Sequence, residues 1–263
     1  AQRGGRNVDI VAVSAKNRSK DRGVSLDGYE WYDDPVAMAR EADVDLVLEL
    51  IGGEDGPAKA VCEAAIAAGR HVVTANKALL AMHGNALATA AEAAGVSLNY
   101  EAAIAGGIPI VKALREGLAG NRVTRVYGIL NGTCNYILTE MREERLSYET
   151  VLADAQKLGY AEAEPSVDVD GIDAAHKLAL LASLAFGTKV NFEGVYTEGI
   201  RKVALEDIDY AEEFGYRIKL LGSARMTDHG LEQRVHPCMV RKDKPIAHVE
   251  GAYNAVVAHG DFV

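Results

Sequence analysis

Val44-Asp45-Leu46-Val47-Leu48-Glu49-Leu50-Ile51-Gly52-Gly53 reads as a strand that runs out into a glycine pair, and it sets the reading of the first half of the chain. Upstream, Val8-Asp9-Ile10-Val11-Ala12-Val13 is a second such run, β-branched and continuous, the pattern of a strand buried on both faces. A polar, basic stretch follows from Lys16 to Gly23, and Asp34-Pro35 opens a short helix to about Glu41, with proline suited to the first turn. Downstream, Pro57 to Ala68 carries apolar residues at helical spacing and stops at Gly69. His71 to Thr74 is a further strand, Ala86 to Ala94 a helix ending at Gly95, and Val96 to Tyr100 a fourth strand. Strands alternating with helices imply βαβ units and a parallel sheet. Right-handed crossovers then place ligands at the carboxyl ends of the strands.

The pattern changes after Ile108. Pro109 to Leu118 is helical, Val123 to Leu130 a strand, Ser147 to Leu158 a helix with Ser147 as N-cap, and Gly171 to Phe186 a long apolar helix. Arg217–Ala224, Leu231–Val240 and Ala252–Ala258 read as strands with turns at Asp228-His229-Gly230 and Lys244-Pro245, an α+β pattern. The 263 residues therefore divide into 1–108 and 109–263.

Lysine and arginine total 28 against 38 acids, a net charge of −10, which argues against a nucleic-acid partner. Three widely spaced cysteines, Cys62, Cys134 and Cys238, form neither a disulfide framework nor a metal motif and fit a reducing cytoplasm. No apolar run approaches the ~18–20 residues of a membrane span, and Ala1 to Arg6 carries no signal-peptide core.

Five places could carry chemistry. Gly52 and Gly53, after Ile51, allow close backbone approach to a ligand, although an ordinary tight turn would look the same. Lys16 and Arg18 follow the first strand, where a dinucleotide fold holds the ribose of NAD or the 2′-phosphate of NADP; basic residues there tilt towards NADP, and a solvated loop is the alternative. Lys77, in Thr74-Ala75-Asn76-Lys77, leaves a strand at its carboxyl end, placed to hold an anion or transfer a proton, or simply to lie at the surface. Asp173 and Lys177, four apart on an apolar helix, share a face and can form a proton-transfer pair or a structural ion pair; Asp168 and Asp170 also suit the helix N-terminus, and His176 reads as structural. Finally, Glu101 ahead of the turn at Gly106-Gly107 suits a hard cation through oxygen donors, or an interdomain hinge.

Four stretches in order resemble the homoserine dehydrogenase family: VVTANKALLA at Val72–Ala81, EAAIAGGIPIVKALREGLAGN at Glu101–Asn121, GILNGTCNYIL at Gly128–Leu138 and LGYAEAEPSVDVDGIDAAHKLALLASLAFG at Leu158–Gly187. The resemblance implies an α/β fold, a Rossmann-like parallel sheet followed by an α+β catalytic and dimerisation domain. It implies reversible NAD(P)H-dependent reduction of L-aspartate 4-semialdehyde to L-homoserine, on the route to threonine, methionine and isoleucine, by a homodimer or tetramer. By resemblance Lys177 matches the proton donor, Lys77 a second active-site lysine near substrate and nicotinamide, and Asp173 the acid supporting the site. Glu162 matches the residue that binds the substrate ammonium, Asp168 a substrate-binding acid, and Gly159 a position near the cofactor. Glu101, Ile104, Gly106 and Ile108 match the family's sodium site, the last three through backbone carbonyls. Glu164 stands where the family usually has aspartate.

Gly-x-Gly-x-x-Gly is absent from the sequence. The chain is accordingly expected to be the middle of a longer enzyme, lacking the family's first strand with its phosphate loop and its C-terminal end, and to expose apolar surface where that strand would lie. The competing expectation is a non-catalytic fragment, an oligomerisation scaffold unable to bind cofactor.

Overall fold

The computed structural model describes Gly5 and residues 7–262; the other residues of the Ala1–Arg6 stretch read for a targeting core, and Val263, lie outside the described residues. The chain forms two compact units, Ala1–Tyr100 and Glu101–Val263.

The first unit comprises β1 (Ala12–Ser14), β2 (Glu30–Tyr32), α1 (Pro35–Glu41), β3 (Leu46–Glu49), α2 (Pro57–Ala67), β4 (His71–Thr74), α3 (Lys77–Ala94) and β5 (Leu98–Asn99). All its strand pairs are parallel, but they fall into two sheets, β1-β2 and β3-β4-β5. Val47 and Val72 pack with Val61, Cys62, Ile66, Leu79 and Leu87 into one core under α2 and α3. Helix α1 starts where Asp34 accepts the Val36 N–H and Pro35 fills the first turn, and it packs on both α2 and β1.

Two readings need correction. The Val8–Val13 run is not a buried strand: only Ala12–Ser14 is strand, and Val8 and Ile10 are 71% and 60% exposed. Among the described strands β1 pairs only with the three-residue β2, so the run lacks the neighbours that burial requires. One face of β3 and of the residue after it is likewise apolar and open, with Leu48 58% and Leu50 75% exposed. Helix α3 begins at Lys77, not Ala86, because Asn76 caps it by accepting the Leu79 N–H and because Leu79, Leu80 and Leu87 bury one face. Gly84, itself buried, interrupts the pattern that would have shown this.

The second unit opens with a 3₁₀ turn at Glu101–Ala103, then α4 (Ile110–Lys112), which continues as a π turn over Ala113–Gly117. It continues with β6 (Arg125–Ile129), α5 (Gly132–Glu144), α6 (Tyr148–Lys157), α7 (Ser166–Val169), α8 (Ile172–Phe186), β7 (Val195–Thr197), α9 (Leu205–Glu213), β8 (Tyr216–Thr227), β9 (Gly230–Arg241) and β10 (Ala255–His259). The sheet order is β10-β6-β8-β9-β7; β7 runs parallel to β9 and the other pairs are antiparallel, so the half read as antiparallel is mixed. Elements α5, α7, α9, β2 and β7 went unread in the sequence. Ser147 caps α6 as expected.

Helix α8 lies on one face of this sheet, with Ala175, Leu178, Leu180 and Leu181 at most 1% exposed. Gly222 leaves room beneath it for Leu130 and for Leu178 of α8: a Cβ there would stand 2.8 Å from Leu130 Cδ1 and 3.5 Å from Leu178 Cδ1. Burying such a helix is what fixes its register and hence the positions of Asp173 and Lys177.

On the other side, Glu250 accepts bonds from Arg142 at 3.0 Å and from Arg217, and lies 3.4 Å from the Lys219 ammonium, which is 2% exposed. Burial pushes the Glu250 carboxyl up, but Arg142, Lys219 and Arg217 outweigh it and hold it below its usual range. Burial likewise pushes the Lys219 ammonium down. The unfolded chain therefore binds more protons at Glu250 than the folded one. Its stabilising contribution is complete above the ordinary carboxyl pKa of about 4.3 and is lost as pH falls through the lower folded value. Glu250→Gln is expected to cost about 1–3 kcal/mol at pH 7, discounted for partial exposure, and to show a flatter loss of Tm than the wild type between about pH 5 and 3. Scanning calorimetry across that range checks this; parallel curves would remove Glu250 from the acid response.

Candidate active site

In the first unit the chemistry gathers where strands end. Ile51, Gly52 and Gly53 follow β3 and are exposed, with both glycines at φ +84°, a conformation side chains disfavour. Lys77 follows β4 as the first residue of α3 and is half-buried. The Glu49 carboxylate, 1% exposed, accepts the N–H groups of Ile51 at 2.6 Å and Gly52 at 3.1 Å and the Thr74 hydroxyl. Asn76 donates to the Gly53 carbonyl at 2.6 Å. Burial, with Glu49 and Glu63 adding, pushes the nearby Cys62 thiol up to about 12.

Lys16 and Arg18 follow β1 and are exposed. The Arg18 guanidinium lies 5.3 Å from the centre of the Trp31 ring. Arg18, Lys20, Arg22, Tyr29 and Trp31 border a surface depression of about 370 Å³. Arg22 donates to the carbonyls of Asn17 and Lys20, which closes this loop on itself.

In the second unit the acids and the lysine read from the sequence meet. Lys177 Nζ donates to Asp173 Oδ2 at 2.7 Å and to the Leu130 carbonyl at 2.8 Å; the two side chains are 16% and 6% exposed. The Asn131 amide donates to Asp168 Oδ1 at 2.8 Å and Asp173 Oδ2 at 2.9 Å, while its own oxygen accepts the Cys134 N–H at the start of α5. Thr133 Oγ1 lies 3.4 Å from Asp168 Oδ2 and donates to the Tyr160 carbonyl. The buried Cys134 thiol donates to the Asp168 carbonyl; burial, reinforced by Asp168 and Asp173, pushes its pKa well up, so it stays a donor.

Asn131 and Thr133 were not singled out in the sequence, although both lie within the GILNGTCNYIL stretch. Their signal was an asparagine between a strand and a helix, a strong N-cap type. Gly159 ends α6 at φ +78°, and Glu162 is exposed on the loop beyond, its carbonyl held by Gln156. Glu164 accepts from Ser166, a bond local to the start of α7. The His176 and Phe192 rings lie 4.4 Å apart between centres, tilted by 45°.

Glu101 spends its carboxylate on the Val111 and Lys112 N–H groups, at 2.8 and 3.0 Å. Ile104 is fully buried, Gly106 exposed and Ile108 half-buried, with the Ile108 carbonyl accepting the Ile110 N–H. Among the described residues no group of three or more His, Cys, Asp or Glu is placed to hold a metal. A donor set of one carboxylate and backbone carbonyls lies outside that pattern and suits a hard monovalent cation. No helix of the described residues is long and apolar enough to cross a membrane.

A parallel-sheet unit with an open glycine turn at its strand ends, followed in sequence by a mixed-sheet unit with a buried lysine–carboxylate network, is an α/β architecture of the Rossmann-like class. The profile of the homoserine dehydrogenase NAD-binding domain matches residues 1–101, and that of homoserine dehydrogenase matches residues 109–263. The chain belongs to the homoserine dehydrogenase family. It is 49% identical to the Pseudomonas aeruginosa homoserine dehydrogenase, over all of this chain and 60% of that protein, so it spans about three fifths of such relatives. The crystal structure of a homoserine dehydrogenase from Thiobacillus denitrificans superposes with a TM-score of 0.95 at 50% identity, over 100% of this chain and 60% of that one. A hyperthermophilic archaeal homoserine dehydrogenase in complex with NADPH does so at 0.75 and 26% identity, over 89% of this chain and 67% of its own.

Proposed function

We propose that the protein carrying this chain catalyses the reversible NAD(P)H-dependent reduction of L-aspartate 4-semialdehyde to L-homoserine in amino-acid biosynthesis, in the cytoplasm. The observation that carries this reading is Lys177: two of the three hydrogens of its ammonium go to Asp173 and Leu130, leaving one for a substrate oxygen. When bound, the nicotinamide cofactor supplies the hydride. As the aldehyde carbon gains it, negative charge grows on the oxygen, and Lys177 stabilises that charge and delivers the proton, to be reprotonated from solvent. Asp173 holds the ammonium in place through its 2.7 Å bond. Glu162 takes the substrate ammonium and Asp168 supports substrate binding. Lys77 serves substrate and nicotinamide, and Ile51, Gly52, Gly53 and Gly159 approach the cofactor. The division at 1–108 and 109–263 assigns cofactor binding to the first domain and catalysis and dimerisation to the second, in keeping with the ranges of the two family profiles.

The test follows NADPH absorbance in the full-length protein with aspartate semialdehyde and with unrelated small aldehydes. Oxidation specific to aspartate semialdehyde is expected; equal turnover of all the aldehydes would overturn the substrate assignment. For the 263 residues alone the competing reading is a scaffold that cannot bind cofactor. Micromolar NADPH binding by those residues would refute it.

Lys16 and Arg18 support NADP over NAD. Arg18→Ala is expected to raise KM for NADPH by about tenfold and leave that for NADH within about twofold; equal effects would place the 2′-phosphate elsewhere. Glu101, Ile104, Gly106 and Ile108 offer oxygen donors to sodium, and replacing sodium by choline should lower activity if they hold it. A homodimer is supported by the sheet face opposite α8, where Tyr127, Val257 and Cys238 are only partly buried; a monomeric mass by light scattering would refute it.

A further inference from the structure

Gly52 and Gly53 both sit at φ +84° and carry the greatest backbone freedom of any residue type. A turn of this kind binds a ligand weakly unless something else orders it, because the ordering cost is then taken from the binding energy. Here the order comes from three buried polar residues. The Glu49 carboxylate accepts the Ile51 and Gly52 N–H groups on one oxygen and the Thr74 hydroxyl on the other. Thr74, 1% exposed, accepts the Asn76 N–H at 2.9 Å. Asn76, 7% exposed, donates to the Gly53 carbonyl and caps α3 through Leu79, so its chain leads directly into Lys77. A carboxylate is a costly group to bury. At the end of a strand it holds two successive N–H groups of the turn and the neighbouring strand at once, which an apolar residue of that size cannot do.

We propose that Glu49, acting with Thr74 and Asn76, is a positioning residue for the dinucleotide, pre-ordering the Ile51–Gly53 turn and the start of α3 as one rigid edge. This rests on the cofactor reading of that edge. None of the three needs to touch the cofactor; their effect runs through the backbone they hold. In Glu49→Gln the amide nitrogen faces the Thr74 hydroxyl, whose hydrogen loses its acceptor. Thr74→Val removes the same bond at nearly constant volume, and Thr74→Ser keeps it.

NADPH titration of the full-length protein, followed by nucleotide fluorescence, with Tm and steady-state kinetics alongside, tests this. Glu49→Gln should weaken NADPH binding about tenfold and Thr74→Val about threefold or more, with Thr74→Ser restoring the wild-type Kd. KM for the aldehyde should move less than KM for NADPH. A merely structural role would lower Tm and leave the Kd of the folded protein alone. A folded Glu49→Gln or Thr74→Val variant that binds NADPH within twofold of wild type would overturn the inference, and the milder threonine variant decides it if the glutamine variant does not fold. Failure of the wild-type protein itself to bind NADPH would overturn the cofactor reading and this inference with it; wild-type binding with unaffected variants would overturn the inference alone.

Discussion

Lys177→Ala is expected to lower kcat of the full-length protein by about 10²–10⁴-fold, the usual range for loss of a positioned proton donor. KM for NADPH should change little, because Lys177 on α8 is assigned to the substrate oxygen and not to the cofactor. The substitution also strips Asp173, 6% exposed on its side chain, of its cation. Removing one partner of a buried pair costs about 3 kcal/mol, so Tm should drop as well, and kinetics must be read on folded protein. Lys177→Arg separates charge from proton donation. It can keep the ion pair with Asp173, but a guanidinium does not give up its proton near neutrality, so turnover should stay low while Tm recovers. Near-normal turnover in either variant would remove Lys177 from the proton-donor role.

Asn131→Ala is expected to have the next largest effect, and to act on stability and turnover together. Its amide holds Asp168 and Asp173 through two bonds, and its oxygen caps α5. Loss of the cap costs about 1 kcal/mol and loss of the two bonds to the carboxylates about 1–3 kcal/mol more. Tm should fall by roughly 5–10 °C at 2–4 °C per kcal/mol for a unit of this size. Without the bridge the two acids repel across the gap and Asp173 no longer fixes the Lys177 ammonium, so kcat should drop by about 10–100-fold. Asn131→Asp separates the roles: it can still cap α5 but puts a third carboxyl among the acids, and should recover part of the Tm without recovering kcat. If Asn131→Asp restores kcat, Asn131 serves only as a cap.

Much of the fold was legible because its signals are local. Asp34-Pro35 and Ser147 start helices through bonds to backbone two or three residues on, and His71–Thr74 reads as a strand from its own four residues. Elements α5 and α9 escaped because most of their residues are polar or charged and few are apolar, so the buried face that tertiary packing uses is short. The pairing of Asp173 with Lys177 was visible because four residues on one helix span one turn.

Sequence alone determined the family, the alternation that makes a parallel sheet, and the one-turn spacing of Asp173 and Lys177. Tertiary structure decided what surrounds them. Asn131 reaches Asp168 and Asp173 across 37 and 42 residues of chain, and Leu130 reaches Lys177 across 47. It also decided that the apolar Val8–Val13 run is open and that Glu49 orders a glycine turn. Spacing within a helix or strand is set by backbone geometry and can be read in one dimension. Convergence of separate elements depends on which faces bury against each other, and only the folded core specifies that.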